Sequence, residues 1–409
     1  MRMSMTVLFL LCAVLGASVQ AVGRKLDDDK EVSRPRLQIF NGSQQPLDIF
    51  WLKSRFERIP RGSVAPGENT ILITTQGHRF LMVGKENHAE ETVTSTLRVQ
   101  AFVFQPEAKS APRTPREGQV IPPPAAQKIP KFYSKFISAK GFPIVASKTV
   151  SDYALKEAAF LVNLMLAKRP DVRDALIRSG SRMCLLGWNE FTTDLPEFAF
   201  LSRNAMAEYP NISPKDFWDA RARGTGGSET DPYCSSAEEN LLGYPGDPYA
   251  AECILIHEFA HCIHLRGMVN VDPTFDGRLK ATYDAAMKAG LWKGKYASVN
   301  HHEYFAEGVQ SWFDNNRVND HDHNHVNNRA LLIEYDPDLA ALCREVFGET
   351  MLKYTKPATR LTGHMANYEP SQAPTFVWQE RLMRVRAAIL TQTRSRDKQA
   401  SGKDEHEKH

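Results

Sequence analysis

The chain has 409 residues, of which 42% are hydrophobic, 10% aromatic and 24% charged. That is the make-up of a globular protein of two or three domains, not of a disordered, collagen-like or coiled-coil one. Lys and Arg number 51 against 48 Asp and Glu, a net charge of +3, which argues against nucleic acid as the main partner, because phosphate binding needs a marked basic excess or patch.

Met1 to Ala21 reads as a secretory signal. Arg2 supplies the positive leader, Thr6 to Ala17 an apolar run, and Val19-Gln20-Ala21 a small-residue cleavage site. An apolar run of about 12 residues cannot span a bilayer that needs roughly 20, so the expectation is a cleaved signal and a secreted, extracellular protein without a membrane anchor. Cys184, Cys234, Cys253, Cys262 and Cys343 remain after cleavage. Their odd number leaves at least one thiol unpaired or bonded between chains. One or two bridges suit an oxidising compartment, with Cys234–Cys253 the favoured pair. Asn41-Gly42-Ser43 and Asn211-Ile212-Ser213 fit the glycosylation acceptor pattern.

Residues 22–36 form a charged, turn-rich leader. From 37 to 105, short β runs such as Leu37-Gln38-Ile39-Phe40 and Leu97 to Phe104 alternate with Asn-Gly and Pro-Gly turns, the pattern of a small β-sandwich. Residues 106–130 are dense in Pro, Ala, Lys and Arg and read as an extended linker. Helices dominate from 131 to 395. Ser151 caps one running to about Lys168, Arg182 to Gly187 reads as a buried strand, and 203–250 is rich in Gly, Pro and Ser and reads as irregular. Pro248 opens a helix continuing to Gly267, and further helices fall near 300–314, 328–347 and 373–392. The tail, 396–409, is polar and expected to be disordered. The predicted fold class is α+β, a small N-terminal β-sandwich followed by a mainly helical domain.

Inside the apolar run Cys253-Ile254-Leu255-Ile256 begins His257-Glu258-Phe259-Ala260-His261. On a helix, residues i and i+4 share a face, so both imidazoles can reach one metal ion, with Glu258 beside its water. Ionisable side chains in a greasy helix are expensive unless a partner such as a divalent cation compensates them. A catalytic zinc site needs a third protein ligand and an open position. The metzincin arrangement is excluded, since position 264 is His and 267 is Gly; His264 itself reads as a packed or supporting imidazole. Glu303 and Glu307, in the run Asn300 to Glu307, are again i and i+4, so one can bind metal while the other orients His257. Glu303 is the better ligand candidate, with His301 or His302 as the alternative.

Together, the His257–His261 motif and Tyr296-Ala297-Ser298-Val299-Asn300-His301-His302-Glu303-Tyr304-Phe305-Ala306-Glu307 resemble the catalytic domain of anthrax lethal factor and related gluzincin metallopeptidases. The resemblance implies a zincin-like fold over 131–395 and one Zn2+ per chain, held by His257, His261 and Glu303. It implies Glu258 as general base, Tyr296 as oxyanion stabiliser, Glu307 behind the ligands, and a peptide or protein as substrate. A fully coordinated structural zinc would leave Glu258 without a task. The alternative is a secreted binding protein with an inactive or structural metal site.

Trp51, Pro66-Gly67 and Gly77-His78-Arg79-Phe80, with Ile39 to Ser43, resemble the β domain of the von Hippel–Lindau tumour suppressor over about 65 residues. Trp51 and His78 match pocket positions of that family, while Arg61, Thr74 and Phe80 stand where it has Tyr, Ser and Trp. Of the remaining motifs, Asp320 to His325 alternates acids and imidazoles and reads as a solvated loop or a second metal site. Gly224-Thr225-Gly226-Gly227 reads as a flexible loop beside the cleft, and Glu238 and Glu239 as candidates to meet a basic substrate residue.

Overall fold

The computed structural model describes residues 34–54, 56–106, 117–203, 206, 209–350 and 353–391. The signal, most of the leader, residues 107–116 of the linker and the tail lie outside the described residues. Seven strands come first: β1 Arg36–Asn41, β2 Leu47–Leu52, β3 Arg58–Val64, β4 Asn69–Ile73, β5 Arg79–Gly84, β6 Glu90–Thr94 and β7 Val99–Phe104. They form two sheets, β4-β1-β7 and β3-β2-β5-β6. Side chains two apart share a face of a strand, so Leu37 and Ile39, Leu47 and Ile49, and Phe80 and Met82 turn inwards to one core between the sheets. Asn41 is part of this interior. Its amide donates to the carbonyls of Gln45 (2.7 Å) and Val64 (2.9 Å), so the acceptor pattern at Asn41 marks a structural turn and not a glycan site.

A third sheet carries the rest of the fold, built of β8 Lys135–Ala139, β9 Phe142–Ala146, β10 Arg182–Leu186, β11 Gly224–Thr225 and β12 Tyr233–Ala237. Its order is β11-β12-β10-β9-β8. The three central strands run parallel and the two edges antiparallel. β9, β10 and β12 are buried at every position, as strands covered on both faces must be; the strand expected at Arg182 to Gly187 is therefore present.

The helices are α1 Asp152–Met165, α2 Pro170–Arg178, α3 Pro214–Arg221, α4 Glu238–Leu242, α5 Ile254–Cys262, α6 Phe275–Lys288, α7 His301–Trp312, α8 Arg329–Tyr335 and α9 Pro337–Phe347, with a further helix at 380–391. Ser151 caps α1, its side chain accepting from the Tyr153 amide. Three expectations change. The stretch 203–250 is not irregular: it holds α3, β11, β12 and α4, and β12 (Tyr-Cys-Ser-Ser-Ala) is held by pairing with β10, not by any apolar alternation of its own. The motif helix starts at Ile254, after turns at 248–252. The helix expected over 328–347 breaks at Asp336-Pro337, where Pro337 cannot continue a helix but starts α9 well, capped by Asp336 on the Leu339 amide.

The five cysteines among the described residues are free and buried. Cys234 on β12 lies against Cys262 of α5, so the expected Cys234–Cys253 bridge is not formed. The two parts of the fold are joined by specific contacts. Gln38 Nε2 donates to the Thr230 carbonyl (2.8 Å), and Arg36 pairs with Glu229. Asn270 exchanges hydrogen bonds with the Val99 backbone, each 2.9 Å. The sandwich thereby grips the tip of the β11–β12 hairpin.

Candidate metal centre

α5 and α7 pack against each other at the centre of the helical part. Asn300 caps α7 by accepting from the amides of His302 and Glu303, which fixes the first turn where Glu303 stands. Three donor atoms meet there. His257 Nε2 lies 3.2 Å from His261 Nε2 and 3.1 Å from Glu303 Oε2, and His261 Nε2 lies 3.2 Å from the same oxygen. Donors about 2.0–2.1 Å from a tetrahedral zinc are roughly 3.3 Å from one another. The triangle therefore has the dimensions of three zinc ligands.

The hydrogen bonds behind it determine its chemistry. Gln310, fully buried on α7, donates its amide to Glu252 Oε2 (2.7 Å), so its oxygen faces His257 Nδ1 at 2.8 Å. An amide oxygen only accepts, so His257 carries a proton on Nδ1. A proton on Nδ1 leaves Nε2 as the ring nitrogen that can offer a lone pair to an ion once its own proton is displaced. Burial alone would push His257 down, but Glu303, Glu258 and Glu307 outweigh it and hold the imidazole up at about 10. Burial likewise opposes ionisation of Glu303, and the two imidazoles reverse this and keep its carboxyl well below the usual range.

Glu307, expected to orient His257, stands 3.5 Å from Nδ1, so the direct bond belongs to Gln310. Gln310 was not picked out from the sequence, although it is a polar residue seven positions after Glu303 on the same apolar helix face. Behind it, Arg317 pairs with Glu252 at 3.0 Å. His301 and His302, the alternative ligands, gather instead around His264 and Asp276.

Glu258 is buried one residue along from His257, with a ligand atom within 4.8 Å of those of His257 and His261. Burial raises its carboxyl above the ordinary value, against the pull of the two imidazoles. The Tyr296 ring stacks beside His257 with centroids 6.0 Å apart, and its amide donates to the Asp322 carbonyl (2.8 Å).

Gly224 to Gly227 is no loose loop. Gly224 and Thr225 form the edge strand β11, which lies on α5. A Cβ at Gly226 would come within 2.6–2.9 Å of the His261 side chain, and one at Gly224 within 3.0 Å of Glu258 Cγ. Only glycine leaves room for the motif helix. The substitution Gly226→Ala is expected to displace the His261 ring and weaken zinc binding by roughly 10–100-fold, the scale seen when a ligand's support is lost. A competitive zinc titration checks this, and unchanged affinity would show that the strand yields instead.

Two further expectations are corrected. Glu238 and Glu239 are internal: Glu239 forks onto Arg223 (2.5 and 2.9 Å), while Glu238 accepts from the Ser151 and Trp188 amides, so neither is placed to meet substrate. The Asp320–His325 loop is not solvated throughout, for Asp322 and His323 are buried. Arg317 stands among its acids, 3.1 Å from Asp320 and 3.6 Å from Asp322, and ligand atoms of Asp320, Asp322 and His323 lie within 4.8 Å of one another, as the second-metal alternative requires. The loop serves as a brace, its Asp322 carbonyl holding Tyr296 and His323 Nε2 lying 3.3 Å from Glu307.

Burial disfavours the His323 cation, but Glu307 and Asp320 outweigh this and raise its pKa to about 9. A raised folded-state pKa stabilises the fold fully below the unfolded value of about 6.5, and that contribution fades as pH rises through 9, on the order of 3 kcal/mol at most. Tm is expected to fall over this window in wild type and to be flatter in His323→Gln.

In the sandwich, Trp51 and His78 lie with ring centroids 4.7 Å apart, and Thr74 Oγ1 is 3.1 Å from His78 Nδ1. Among the described residues, no helix is long and apolar enough to cross a membrane. The chain matches no known protein-family model and no curated protein.

Proposed function

We propose that this chain is a secreted zinc-dependent peptidase. The observation that carries the reading is the triangle of His257, His261 and Glu303, with edges of 3.1–3.2 Å, beside a buried Glu258 on the same helix. Zinc held by these three residues would supply Lewis acidity, polarising a peptide carbonyl and lowering the pKa of a water towards about 7.

The side chains of the chain do the rest. Glu258, its carboxyl raised by burial, takes the proton of the attacking water and later passes it to the departing amine, since a base near the operating pH is the more effective one. The Tyr296 hydroxyl donates a hydrogen bond to the oxygen that gains negative charge, a contribution of roughly 3 kcal/mol for donors of this kind. Gln310 keeps the His257 lone pair aimed inward. β11, at the sheet edge against α5, offers a strand along which an extended peptide can align.

Purified protein is to be incubated with casein and with a mixed peptide library, with and without a chelator and with zinc restored. Cleavage that stops with the chelator and returns with zinc is the expected result. No turnover on any peptide would overturn the reading and favour a secreted binding protein, for which the Trp51–His78–Thr74 cluster is the observation in support.

A further inference from the structure

Beyond Cys262 the motif helix continues as a π turn, Ile263–Met268, a distortion found often at functional sites. His264 lies within it, fully buried and edge-on to Phe275 and Phe305, with centroids at 5.7 and 5.6 Å. Its Nε2 is 2.9 Å from Asp276 Oδ1 on α6, and His301 Nε2 is 3.0 Å from the same oxygen. The His302 ring is centred 5.3 Å from that of His264 and 4.1 Å from that of His301. One donor atom from each of His264, Asp276 and His302 lies within 4.8 Å of the other two, close enough for small side-chain rotations to bring all three onto one ion.

Asp276 Oδ1 stands within 3.0 Å of ring nitrogens of both His264 and His301, so a carboxylate oxygen and imidazole nitrogens already converge on one point. Imidazoles with one carboxylate are the donor set that zinc and its neighbours among the divalent transition metals take. The Asp276 side chain is 41% exposed, so an ion has a way in.

We propose that His264, Asp276 and His302, with His301 at the rim, form a second site for a divalent transition-metal ion of the zinc class, sharing no ligand with the His257–His261–Glu303 triangle. The site joins α6 to the first turn of α7 and to the extension of α5. His302 directly precedes Glu303, and His264 follows His261 by three positions, so an ion here braces both motif helices from outside the reaction centre.

Zinc titration of the metal-free full chain against a chromogenic chelator tests the site, with folding followed by circular dichroism. Wild type is expected to take up two tight equivalents. Asp276→Asn, on a part-exposed side chain, and His302→Gln are each expected to take up one, and so is Glu303→Gln. A single equivalent in wild type that persists in Asp276→Asn and is lost in Glu303→Gln overturns the second site and leaves the first standing. A single equivalent with the reverse pattern supports the second site and overturns the first. Two equivalents in both Asp276→Asn and His302→Gln, or none in wild type, overturn the proposal.

Discussion

Replacing Glu258 by Gln is expected to lower peptide hydrolysis by roughly 10²–10⁴-fold, the contribution typical of a positioned general base, while zinc uptake stays at the wild-type level. The two readouts separate because Glu258 lies beside the triangle and is not one of its three atoms. Gln keeps the size of the side chain in its buried slot but can neither accept a full proton nor return one to a leaving amine. Burial favours this assignment over a surface carboxylate, since it moves Glu258 upward from its usual acidic range. Activity equal to wild type in Glu258→Gln would defeat the mechanism even if zinc were bound.

Glu303→Gln is expected to have the other pattern, with hydrolysis lost because zinc at the triangle is lost. Gln removes the negative charge that faces both imidazoles at 3.1 and 3.2 Å. The loss of affinity should be at least the roughly 10–100-fold that follows removal of a residue merely supporting a ligand. Competition against a chelator of known affinity gives the value. Wild-type affinity in Glu303→Gln would show that the carboxylate is not a ligand, and the peptidase reading would fail with it. Taken together the two substitutions divide the site: the residue that acts leaves binding intact, and the residue that binds removes both.

Where the sequence was legible, it was legible for physical reasons. His257 and His261 were readable because i and i+4 lie on one helix face whatever surrounds the helix. The strands of the sandwich were readable from two-residue alternation, and β10 from an uninterrupted buried run. β12 was missed because its Ser and Cys residues carry no strand signal and are held by the partners on either side. The Cys234–Cys253 bridge is not formed, and the acceptor pattern at Asn41 is a turn, because both depend on exposure or direction, and those belong to the packed fold: Cys234 faces Cys262, and the Asn41 amide is occupied inside the sandwich.

By itself the sequence determined the α+β class, the motif helix, and the pair of glutamates of which one stands against the imidazoles. Local periodicity and side-chain chemistry suffice for those. Only the tertiary structure decided that Glu303 closes the triangle, that Gln310 holds His257, that Gly226 makes room for His261, and that His301 and His302 turn to His264. Each of these depends on contacts between residues far apart in the chain, and no local pattern encodes which of several chemically suitable side chains the fold will bring together.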